Sequence, residues 1–106
     1  NEPLTMAASK GHHDIVSLLL SKGADPDTVD EFSTPLIEAV TEGHYQVVEL
    51  LLTKGADPNL TSKYTGTPLT LAARIGHHLV SELLLSRGAN PNIINKFCYF
   101  CWLTNP

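Results

Sequence analysis

The chain has 106 residues, enough for one domain, with 42% hydrophobic residues and a net charge of −4 from 11 acidic against 7 basic side chains. That balance excludes the basic face a phosphate backbone demands, and no apolar run approaches the length of a membrane span. The only two cysteines, Cys98 and Cys101, fall in the last ten residues, so no disulfide framework holds the body together. A reducing compartment, cytosol or nucleus, fits that usage best.

Taken in order, the elements come in three similar copies. The chain opens on Asn1-Glu2-Pro3 in mid-motif, without an initiator Met, and reads as a fragment or an excised module of something longer. Copy one runs from Pro3 through a Gly11-His12 turn and the apolar block Ile15–Leu20 to Lys22-Gly23-Ala24-Asp25-Pro26.

Copy two shows the unit most clearly. Thr34 has the hydroxyl of a helix cap, and Pro35 suits the first helical position, where no amide donor is needed. Leu36, Ala39 and Val40 give this short helix an apolar side, and Gly43 ends it in the left-handed conformation. A second helix follows, with Val47, Val48, Leu50, Leu51 and Leu52 covering a face too wide for a lone amphipathic helix. It demands burial against neighbours on both sides. Lys54 complements the negative helix end, Gly55 terminates it, and Asp57-Pro58 begins a turn-rich connection up to Thr67.

Copy three spans Thr67-Pro68 through Arg87-Gly88-Ala89-Asn90-Pro91. The closing glycines stand at 23, 55 and 88, that is 32 and 33 residues apart. A period of this size predicts stacked supersecondary units that present a surface, not a globule with a private cleft. Residues 1–66 carry ten acids and four bases, whereas residues 67–106 carry only Glu82 against Arg74, Arg87 and Lys96. This asymmetry reads as solvated surface, with an axis that orients a partner as the alternative.

These residues resemble the ankyrin repeat. Its Thr-Pro-Leu-x-x-Ala pattern is matched by Thr34-Pro35-Leu36-Ile37-Glu38-Ala39 and Thr67-Pro68-Leu69-Thr70-Leu71-Ala72, and more weakly by Glu2-Pro3-Leu4-Thr5-Met6-Ala7. The resemblance covers residues 2 to about 96. It implies an all-α solenoid of helix-turn-helix units joined by hairpin loops, with repeats at about 1–33, 34–66 and 67–96 and an aromatic tail at 97–106. It also implies that His12, His44 and His77 tie adjacent loops together. Two departures stand out. The histidine common after Thr-Pro-Leu is Thr5, Ile37 and Thr70 here, so its hydrogen bond to the Thr hydroxyl should be lost or weakened. The loop between copies one and two is one residue short, which should tighten the hairpin near residues 30–33.

Chemistry finds little support. The doublets His12-His13 and His77-His78 invite a zinc hypothesis, but equivalent residues on stacked repeats lie about 8–10 Å apart, too far to share one ion at about 2.0–2.1 Å per ligand. His13 and His78 are expected to be exposed. Cys98-x-x-Cys101 lacks a second ligand pair and a strand-to-helix context, so it reads as incidental thiols. No nucleophile elbow or phosphate loop occurs, and no cofactor or metal is implied. The tail packs Phe97, Tyr99, Phe100 and Trp102 into six residues. Phe100-Cys101 falls where a fourth Thr-Pro would start, so the tail reads as an improvised cap, or else as a contact for another chain.

By resemblance, a protein partner would meet the concave face made by hairpin tips and first helices. The matched positions are Asp30, Glu31, Ser33, Lys63, Tyr64 and Gly66 on the hairpins. On the helices they are Ser9, Lys10, Glu38, Thr41, Glu42, Arg74 and Ile75. Tyr64, Arg74 and Ile75 are the candidate anchors, because aromatic and Arg side chains dominate interface energetics. The expected function is a non-catalytic protein–protein interaction module, monomeric, with no nucleic-acid or membrane partner. Two alternatives remain: a spacer within a longer array, or a substrate for Asn hydroxylation. The resemblance places hydroxylation in the loop after Gly-Ala-Asp-x, at Asn59 and Asn92, with Asp27 in the same slot of copy one.

Overall fold

The computed structural model describes residues 3–28, 33–61 and 66–92. Within them lie three helix pairs: α1 (Pro3–Lys10) with α2 (His13–Ser21), α3 (Pro35–Thr41) with α4 (Tyr45–Thr53), and α5 (Pro68–Ile75) with α6 (His78–Ser86). No strand occurs among the described residues, and most of the two inter-pair hairpin segments, together with the tail, lies outside them. The loop tightening expected near residues 30–33 and the capping role of the tail therefore fall largely outside the described residues. No described helix is long and apolar enough to cross a membrane.

Local chemistry sets the helix ends. Thr34 Oγ1 accepts from the Ile37 amide at 3.2 Å and Thr67 Oγ1 from the Thr70 amide at 3.1 Å, each ahead of a proline at the first helical position. Capping by a Thr hydroxyl contributes about 1 kcal/mol. The lost histidine of the motif has three outcomes. In the third pair the Thr67 hydroxyl donates to Thr70 Oγ1 at 2.9 Å, so the bond survives with a new partner, contrary to the sequence expectation for that pair. In the second, Ile37 is wholly buried and contributes packing instead. In the first, Thr5 Oγ1 is buried without a hydrogen-bond partner among the described residues.

Helices of seven to nine residues are too short to persist alone. Stacking holds them. The first helices pack in a row, α1 on α3 on α5, and the second helices in a parallel row, α2 on α4 on α6. One continuous core results, running from Leu4, Ala8 and Val16 through Leu36, Val40, Val48 and Leu51 to Leu71, Ala72 and Leu84.

A second tie is polar. The His44 Nε2 lies 3.0 Å from the Ser9 carbonyl, 35 residues away, and a carbonyl only accepts, so this nitrogen carries the proton. The same ring lies over Gly11, where an added Cβ would come within 2.7 Å of two ring atoms. His77 repeats the arrangement over Gly43 at 3.2 Å. The tie that the family resemblance implies is thus present between the first and second pairs. His12, at the same position in the first pair, is exposed.

Gly11 has φ +75°, and Gly76 has a similar φ of +90° but nothing within 4 Å of its missing Cβ. Any L-residue at either position meets left-handed strain of about 1–2 kcal/mol. Only at Gly11 must it also push a neighbouring imidazole off its acceptor. Gly76→Ala is expected to cost about 1 kcal/mol in urea denaturation, and Gly11→Ala about 1 kcal/mol more than that. Equal losses would mean that the ring moves aside without penalty.

Candidate functional site

The helices α1, α3 and α5 stack in one row, and each runs into a turn glycine (Gly11, Gly43 and Gly76) at the same motif position. Lys10, Glu42 and Ile75 immediately precede the three turn glycines, and Ser9, Thr41 and Arg74 stand one position earlier. Lys10, Thr41, Glu42, Arg74 and Ile75 are exposed, while Ser9 and Glu38 are half-buried. Packing fixes the backbone here, since the Ser9 carbonyl accepts from His44 and Gly11 carries its ring. The side chains themselves face outward with three different chemistries: cationic, anionic and apolar.

The proposed set is not uniform. Thr41 Oγ1 donates to the Ile37 carbonyl at 2.8 Å, so its hydroxyl serves its own helix. Ser33 is buried, and its hydroxyl donates to the Thr34 carbonyl at 3.3 Å. Gly66 is buried as well. Asp30, Glu31, Lys63 and Tyr64 lie outside the described residues. Of the predicted residues, those on the helices are thus exposed or half-buried, while two hairpin members are buried.

Sequence reasoning passed over some exposed apolar surface. Leu79 is 65% exposed in a position that the other two copies fill with Asp14 and Gln46, and that column mismatch was available in the sequence. Tyr45, 40% exposed, shares the walls of two shallow clefts with it. Beside them His78 Nε2 stands 3.2 Å from Glu82 Oε2 in an exposed pair one helical turn apart. His13 and His78 are exposed, as the sequence led us to expect. Among the described residues no three His, Cys, Asp or Glu side chains gather as a metal ion would require. Cys98 and Cys101 lie outside the described residues.

The loops that close each pair form a polar ladder. In each, the Asx side chain after Gly-Ala accepts from the amide two residues on: Asp25 from Asp27, Asp57 from Asn59 and Asn90 from Asn92, all at 2.9 Å. The next Asx reaches forward to the following loop. Asp27 Oδ1 accepts from the Asp57 amide, and Asn59 Oδ1 from the Asn90 amide, both at 2.8 Å. Asn59 also donates through Nδ2 to the Gly88 carbonyl at 3.3 Å, a bond that an ionised Asp27 cannot make. Asn92 is exposed.

Paired helices stacked in two rows, tied by a repeated His-on-Gly contact, define a helical repeat array. A family model for ankyrin repeats, in three copies, matches residues 4–95. The chain belongs to the ankyrin-repeat family, whose members are generally protein–protein interaction modules and typically non-catalytic. No curated protein matches the chain.

The ladder can be tested directly. Asp27→Asn supplies the missing donor and removes one of three closely spaced carboxylates, so it is expected to stabilise the fold by about 0.5–1 kcal/mol. Asn59→Ala removes both forward bonds and is expected to cost about 1–2 kcal/mol. Urea midpoints decide both, and an Asp27→Asn chain less stable than the parent would contradict the forward-bond account.

Proposed function

We propose that the chain is a non-catalytic interaction module whose concave side, the ends of α1, α3 and α5 with the adjoining hairpin tips, receives a protein partner. The observation that carries this reading is the exposed row Lys10, Glu42 and Ile75 beside Thr41 and Arg74. These side chains change chemistry from copy to copy while the turn glycines beside them do not. Exposed positions that vary between copies can encode a partner. Arg74 and Ile75, with Tyr64 from the second hairpin, form the anchor, and Ile75 is 43% exposed. The module works as a monomer in a reducing setting, cytosol or nucleus, which suits its two thiols.

Affinity capture with cross-linking mass spectrometry, run beside a Tyr64→Ala/Arg74→Glu/Ile75→Ala variant of verified fold, tests the assignment. A partner cross-linked through Lys10 and weakened at least about tenfold by the variant is the expected result. A partner that the variant retains and that cross-links to the α2–α4–α6 side would sink it.

A second reading, modification by an Asn hydroxylase, is favoured by one observation: Asn92 is exposed and its side chain ties to no other loop among the described residues, whereas Asn59 holds two bonds to the next loop. Peptide mass spectra from cells should then show added oxygen on Asn92 at higher occupancy than on Asn59. Unmodified peptides for both would remove this reading.

A further inference from the structure

We infer that the cleft between the starts of α4 and α6 docks a cationic amphipathic segment of a protein partner, with an apolar side chain against Tyr45 and Leu79 and a Lys or Arg against Glu82. A shallow cleft opens at both joints of the second-helix row, lined by equivalent positions with different chemistry. At the first joint those positions are Gly11, His13 and Gln46. At the second they are Gly43, Tyr45 and Leu79. Stacking demands neither Tyr45 nor Leu79, since the first joint closes with an imidazole and an amide in their places. Leu79 is 65% exposed and Tyr45 40%, so the second joint keeps apolar surface that the fold leaves in water. Beyond these two residues the cleft runs on to Glu82 and Ser86. It is apolar at one end and anionic at the other.

Charge selects the occupant. Asp14, Glu49 and Glu82 are exposed, and they are the only Asp, Glu, Lys or Arg residues of α2, α4 and α6. Lys22, Lys54 and Arg87 come only after these helices end, and Arg87 Nη1 donates to Thr53 Oγ1 at 3.2 Å, at the far end of α4. Such a row repels nucleic acid and anionic lipid and attracts a cation. Glu82 already has a weak partner, His78, with Nε2 3.2 Å from Oε2 and both side chains exposed. An exposed pair of this kind contributes little, so a Lys or Arg can replace the imidazole at small cost. The cleft encloses about 280 Å³ and is shallow, whereas small-molecule pockets run to roughly 300–1,000 Å³ and bury most of their ligand. A protein segment fits it better. Leu79 and Glu82 stand three residues apart on one helix, so an apolar residue and a cation three or four apart on a partner helix meet them together. This surface lies on the other row of helices from the proposed concave site, and neither reading rests on the other.

A synthetic amphipathic helix of Leu and Lys, titrated into the isotope-labelled full chain and followed by amide chemical shifts, tests the site beside the same peptide with Glu in place of Lys. Shifts should centre on residues 45–49 and 78–83, and the Glu peptide should not bind. Tyr45→His/Leu79→Gln, which gives the second joint the lining of the first, should keep the fold and weaken binding at least about tenfold. Glu82→Gln alone should weaken it about threefold. Affinity that ignores both variants, equal binding of the Glu peptide, or shifts spread over every carboxylate would overturn the inference. Two other occupants have signatures of their own. Self-association in sedimentation that the double variant abolishes would assign the cleft to a second copy. Nuclear Overhauser contacts from Leu79 to Trp102 in the free chain would assign it to the chain's own aromatic tail. Either result overturns the inference as well.

Discussion

Each helix pair lacks something that only its neighbour can supply, and the contact of His44 with Gly11 and the Ser9 carbonyl expresses this most directly. The turn after α1 needs a left-handed residue. Glycine meets that need and leaves a flat place on the surface, which the next pair fills with an imidazole. The ring in turn needs an acceptor for its proton, and the end of α1 offers one. Helices of this length gain little from propensity alone, so stability resides in the joints between pairs. The Asx ladder from Asp27 to Asp57 and from Asn59 to Asn90 repeats the same principle at the opposite end of each pair.

Function follows from where these joints are not. Stacking uses Leu36, Ile37, Ala39 and Val40 of α3, all buried, and leaves Thr41 and Glu42 outside. Because each copy repeats the same backbone, outward positions line up in rows of fixed spacing whatever side chains they carry. Substitution at such outward positions leaves the buried core unchanged. The family to which the chain belongs is typically non-catalytic.

Much of this was legible in the residues, for physical reasons that differ from place to place. Thr34-Pro35 and Thr67-Pro68 announce helix starts because capping is local chemistry, and the structure shows both hydroxyls accepting from the amide three residues on. The breadth of the Val47–Leu52 face required neighbours on both sides, and α4 indeed packs on α2 and α6. What depends on distant loops was not legible. The forward bond from Asp27 joins residues 30 apart and leaves no local trace. The survival of the motif bond in the third pair depends on a Thr70 rotamer, so substitution alone suggested a loss that did not occur. Exposure was the least legible property of the candidate site. Ser33 looked like a hairpin surface residue and is buried, while Ile15 and Val47 are near-identical residues with opposite exposure. Position in the stack decides that difference, and a single copy of the motif does not contain it.

The central claim, that neighbouring pairs are held together through fitted polar joints, is tested most directly by a double-mutant cycle between Gly11→Ala and His44→Ala in equilibrium urea denaturation. Without the imidazole, the added methyl at position 11 meets only backbone strain. The account predicts that the two losses are non-additive, with the double variant more stable than their sum by about 1 kcal/mol. Losses that simply add would contradict it.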